Sequence, residues 1–98
     1  MLEIEKILTL STAHITLDTN NMLIRESDPN FCGCLTVYSK DDYGFFIFVP
    51  DMEQLEADGL NIPNDLMCCM KLASENGCSW LCLDCAGSEA EGLVTYEW

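Results

Sequence analysis

Tyr43-Gly44-Phe45-Phe46-Ile47-Phe48-Val49-Pro50 is the most apolar unbroken run in the chain, and its reading decides the fold. Successive side chains of a strand point to opposite faces, so Phe45, Ile47 and Val49 line one side while Phe46 and Phe48 line the other. Both sides are apolar, which places this strand inside a sheet and not at its edge. Pro50 has no N–H to donate to a ladder and ends the strand, and Gly44, just after Lys40-Asp41-Asp42, closes a turn. The strand before it is then its hairpin partner.

That partner reads as Cys34 to Ser39, with Leu35 and Val37 on one side and Thr36 and Tyr38 on the other. Further upstream, Ile7-Leu8-Thr9-Leu10 makes a first strand, apolar on both sides and so also interior. Ser11 to His14 connects it to a helix of about ten residues with Asp18 as N-cap and Leu17 and Met22 as a hydrophobic staple. The helix stops near Ser27, because Pro29 disfavours helical geometry at Asp28.

Downstream, residues 51–61 carry Asp51, Glu53, Glu56 and Asp58 with no basic residue, and they read either as an acidic loop or as a short helix around Met52 to Ala57. Pro63 to Asn76 predicts a helix followed by Gly77, with Leu66, Cys69, Met70 and Ala73 sharing one face and Cys68 projecting outward with Lys71 and Glu75. Ser79 to Asp84 alternates Leu81 and Leu83 against Trp80 and Cys82 as a fourth strand. A last apolar segment, Leu93, Val94, Tyr96 and Trp98, is expected to dock on the rest.

The order β-α-β-β-α-β predicts a single α+β domain over residues 1–98: a ferredoxin-like two-layer sandwich, with two helices on one face of an antiparallel four-stranded sheet. Such a sheet leaves one face open, yet the central strand is apolar on both. Either the C-terminal segment covers that face, or a partner or second copy does. Phe46, Phe48 and Trp98 are the residues expected on such an oligomer face.

Seventeen acidic residues against four basic ones give a formal charge of −13, in a chain that is 49% hydrophobic. That hydrophobic content excludes a disordered acidic tail. The charge repels nucleic acid and anionic membrane and attracts basic surfaces in a salt-sensitive way. No stretch approaches the roughly 20 apolar residues of a membrane span, and the first residues lack the basic start and apolar core of a signal peptide. The expected compartment is the cytoplasm, where the seven cysteines remain thiols and serve mostly as small buried hydrophobes.

Cys32 with Cys34, and Cys78, Cys82 and Cys85 with their one C-x-x-C, bring zinc to mind, but the two-plus-two spacing of a knuckle or ribbon is absent. The single histidine, His14, follows Ser11 and Thr12 without a nucleophile elbow or other local signature. Neither phosphate-cradling glycine motif is present. No catalytic residue, metal or cofactor is therefore expected. If helical, Glu53 and Glu56 lie on one face about 5–6 Å apart, and duplex phosphates repeat about every 3.4 Å of axis per strand. Carboxylates fixed at that spacing imitate a phosphate path; a solvated loop is the plainer reading.

The stretches Ser11-Thr12-Ala13-His14-Ile15, Tyr43 to Pro50, Glu75 to Asp84 and Tyr96-Glu97-Trp98 resemble a group of small uncharacterised bacterial, plasmid and phage proteins, the family of domain of unknown function 5983. The resemblance spans most of the chain and brings no established activity, but it implies a mobile-element setting. In that setting the expected role is a non-enzymatic inhibitor of anti-CRISPR or anti-restriction type. Its partner would be a basic protein or nucleoprotein, such as a nuclease or CRISPR effector, contacted through Asp51, Glu53, Glu56 and Asp58. Two other expectations stand beside it. One is a homodimeric or accessory interaction module near a toxin-antitoxin system, and the other a small hydrolase pairing His14 with a cysteine.

Overall fold

A computed structural model describes residues 2–28, 30, 35–41, 43–57 and 62–98, with only the backbone of residues 56 and 57. Strand β1, Ile7–Ser11, leads through a 3-10 turn at Thr12–His14 into helix α1, Leu17–Glu26. The hairpin β2, Val37–Lys40, and β3, Gly44–Phe48, follows, then the short helix α2, Met52–Ala57, the longer helix α3, Asn64–Glu75, and strand β4, Trp80–Asp84. The four strands lie in the order β1-β4-β3-β2.

The run chosen from the sequence does form an interior strand: β3 is hydrogen-bonded to β2 on one side and β4 on the other, antiparallel to both. The sheet as a whole is not antiparallel. β1 runs parallel to β4, pairing Ile7 with Trp80 and Leu10 with Leu83. This corrects the ferredoxin-like expectation, in which the first strand would be interior; here β1 pairs with β4 alone among the described strands. The physical reason is that an alternating apolar pattern specifies a strand's faces but not its neighbour or direction.

One sheet face carries the core. Leu10, Val37, Phe45, Ile47, Leu81 and Leu83 are buried beneath the helices, with Ile15, Leu23, Leu55, Leu66, Cys69, Met70 and Ala73. The face of α3 that the 3.6-residue period singles out is the one that is buried, while Cys68 is exposed. α3 packs on β4 and β1, and α1 on β2. Helix α1 is capped two residues earlier than expected: Thr16, not Asp18, accepts the Thr19 N–H at 3.2 Å, and Leu17 is exposed, so the staple does not form. The Thr16 N–H in turn donates to Asp65 Oδ2 at 2.8 Å, tying α1 to the first turn of α3.

Gly44 begins β3 where it pairs with Asp84 of β4. A Cβ there would stand 1.7 Å from the Leu83 carbonyl oxygen, so no other residue fits without moving the strand. The hairpin turn includes Asp41 at φ 50, a left-handed position that Asp tolerates.

Candidate functional site: the open face of the sheet

The second face of the sheet is set by register. Ile7, Trp80 and Phe48 form one cross-strand row, and Thr9, Cys82, Phe46 and Tyr38 the next. At the end lie Ser11, Asp84, Gly44 and Lys40. No helix among the described residues lies over the rows: Tyr38 is 57% exposed, Ile7 50% and Phe48 38%. Large apolar side chains left in water at adjacent positions make a patch of the kind that serves association.

The rings are organised. Trp80 meets Phe48 edge to face at 5.5 Å and Tyr38 at 6.0 Å with a 36° tilt. The Trp80 indole N–H donates to Glu5 Oε2 at 2.9 Å, which brings a carboxylate to the rim. At the other end Lys40 is ion-paired with Asp84 and sits 5.6 Å above the Phe46 ring centroid. The Lys40 ammonium and then the Ala86 N–H hold the Asp84 carboxyl below the usual carboxylate range, and Asp84 in turn raises Lys40. Burial pushes the Cys82 thiol up, so it fills this face as a protonated group.

The C-terminal segment does not cover this face. Tyr96 N–H donates to the Ala13 carbonyl at 2.7 Å and the Trp98 indole N–H to the Ile15 carbonyl at 2.8 Å, which docks the segment along the 3-10 turn. Phe46 and Phe48 therefore share the open face, and Trp98 stands away from them beside Thr12 and Ile15. Tyr38, Ile7, Trp80 and Glu5 complete the patch and were not singled out from sequence. Their alternation was visible, but only the register joins them.

Asp51 is a helix cap: its Oδ1 accepts the Glu53 N–H at 3.0 Å at the start of α2. Glu53 is exposed in the first turn. Glu56 belongs to the same helix, but its side chain and all of Asp58 lie outside the described residues, as do Cys32 and Cys34. Among the described residues no group of three His, Cys, Asp or Glu side chains is placed to hold a metal ion.

His14 is 2% exposed and committed at both nitrogens. The Ala90 N–H donates to Nε2 at 2.9 Å, so the proton is on Nδ1, which donates to the Val94 carbonyl at 2.9 Å. Cys69, beside it in a hollow with Leu93 and Tyr96, is a buried thiol that desolvation pushes up to about 12. A nucleophilic thiol needs the opposite shift and a base with a free nitrogen. The arrangement instead staples residues 90–96 onto the helical layer.

No helix among the described residues is long and apolar enough to cross a membrane. No curated protein and no solved structure matches the chain. Residues 7–98 match the model described as Family of unknown function (DUF5983) C-terminal domain, and the chain belongs to that family.

Proposed function

We propose, for this member of the family, a non-enzymatic interaction module that seats a basic protein partner on the open aromatic face. The observation that carries the reading is the cluster of Ile7, Tyr38, Phe46, Phe48 and Trp80 with Glu5 at its rim, which no described helix covers, on a chain of net charge −13. Burying the rings supplies affinity, since apolar area contributes about 25 cal/mol per Å² removed from water. The charge selects the partner's sign and speeds encounter. Two copies of this chain would each bring −13 to the contact, so the charge argues for a basic partner over self-association.

The particular form we favour is cytoplasmic inhibition of a basic nucleic-acid-binding defence complex, of anti-CRISPR or anti-restriction type. Its support is the charge together with the mobile-element setting that the resemblance implies. Glu53, exposed at the start of α2, offers a second contact.

The test is paired affinity capture from host lysate with the wild-type chain and a Tyr38→Asp/Phe48→Asp variant of verified fold, at low and high salt. A basic protein held by the wild type, lost with the variant and released by salt supports the reading. A partner that the variant retains refutes docking on this face. Light scattering on the purified chain covers the remaining occupant: a dimer that the same variant splits assigns the face to a second copy and overturns the basic partner.

A further inference from the structure

We propose that the hollow bounded by Glu5, Ile7, Tyr38, Phe46 and Trp80 is a cation site that takes the guanidinium of an arginine side chain presented by the partner, an assignment that rests on docking at this face.

Three observations converge on it. Tyr38, Phe46 and Trp80 all line the same hollow, and Tyr38 and Trp80 meet at a 36° tilt without stacking. Aromatic faces carry the negative part of the ring quadrupole and attract cations laid over them. The Glu5 carboxylate is held at the rim by the Trp80 indole N–H at 2.9 Å through Oε2, which leaves Oε1 for a second donor. The chain's own Lys40 sits 5.6 Å over the Phe46 centroid, so a ring of this cluster already accommodates an ammonium. Lys40 is ion-paired with Asp84 at the far end of the sheet face, and among the described residues no cation lines the hollow at the Glu5 end.

Guanidinium fits this set better than ammonium. It is planar, lies flat on an aromatic ring, is weakly hydrated and presents several N–H donors to a carboxylate. A purely apolar occupant would strip water from Glu5 and leave its charge without a partner. The same carboxylate gives preference for a cation over a neutral isostere of equal shape.

The experiment uses the full chain, with N-acetyl-arginine amide and its neutral citrulline counterpart as probes, followed by the two tryptophan indole N–H signals in NMR. The expected result is a saturable shift of the Trp80 signal by the arginine probe, with Trp98 unmoved and the citrulline probe roughly fivefold weaker or more. Glu5→Gln keeps an oxygen for the indole N–H but removes the charge, and should weaken the arginine probe by a similar factor while leaving citrulline unchanged. Equal shifts from both probes, or none at Trp80, overturn the cation site. If that happens while capture still depends on Tyr38 and Phe48, docking at the face stands without an arginine anchor. If the arginine probe binds but capture ignores those two residues, the docking reading falls and the cation site remains.

Discussion

Replacing His14 by alanine tests the staple that holds the C-terminal segment. The substitution removes the Nδ1 donation to Val94 and the Nε2 acceptance from Ala90, both at 2.9 Å, and empties a site only 2% exposed. A buried donor or acceptor left without its partner costs about 1–3 kcal/mol. Two such groups, together with the cavity left by the ring, amount to about 3–5 kcal/mol, reduced wherever water enters to replace the bonds. A domain of this size has roughly 5–15 kcal/mol of stability in all, so the variant should be marginal but foldable. Chemical denaturation gives the total, and amide exchange gives its location: protection at Ala90 and Tyr96 should collapse while β3 and β4 fall only by the global loss. His14→Gln, which keeps one donor and one acceptor, should recover part of it. A loss below about 1 kcal/mol, with Ala90 still protected, would refute the staple, because the bonds would then contribute no more than exposed ones.

Three further outcomes follow from the same geometry. Gly44→Ala should prevent folding or cost more than about 4 kcal/mol, read from thermal melts, since its Cβ would meet the Leu83 carbonyl at 1.7 Å; a variant that melts like the wild type would mean that β3 and β4 are spaced more widely at Gly44. Asp51→Ala removes the cap on α2 and should cost about 0.5–2 kcal/mol in denaturant midpoint, whereas Asp51→Ser should not, and a loss of partner capture in the serine variant would give Asp51 a contact role beyond capping. Cys69 binds its proton more tightly folded than unfolded, so stability is complete below about 9 and falls as pH rises toward about 12, by at most about 1.4 kcal/mol per pH unit for this one proton. Cys69→Ala should show a shallower decline between pH 8 and pH 10, and an unchanged slope would count against the buried thiol.

What could be read from residues alone divides along local and non-local lines. The identity of β3, the buried stripe of α3 and the stop of α1 before Pro29 rest on periods of two and 3.6 and on proline stereochemistry, all local. The position of β1 does not. Ile7 to Leu10 is apolar on both sides as an interior strand would be, but Ile7 owes its character to the exposed row it shares with Trp80 and Phe48. The α1 cap was misplaced because Thr16 and Asp18 are both good caps, and the choice was made by Asp65, far along the chain, which binds the Thr16 N–H. The open face was foreseeable in kind from Phe46 and Phe48, but where the C-terminal apolar segment docks is non-local, and Trp98 binds the Ile15 carbonyl away from them. His14 carried no local sign of its two backbone partners, which lie 76 and 80 residues away.

The parallel pairing of β1 with β4 also orders events in time. During synthesis β1 emerges before β4, with Lys6 and Asn76, which are hydrogen-bonded in the folded protein, 70 residues apart. Until β4 clears the ribosome, β1 has no partner in the described sheet, and the β2–β3 hairpin exposes the edge that β4 will occupy. Closing so long a loop is an entropic cost met late, and such non-local pairing slows folding. Synthesis is therefore the stage at which this chain is most open to wrong pairing, and a permuted chain that begins after α1 and joins the old ends should place β4 and β1 close together in sequence and fold faster.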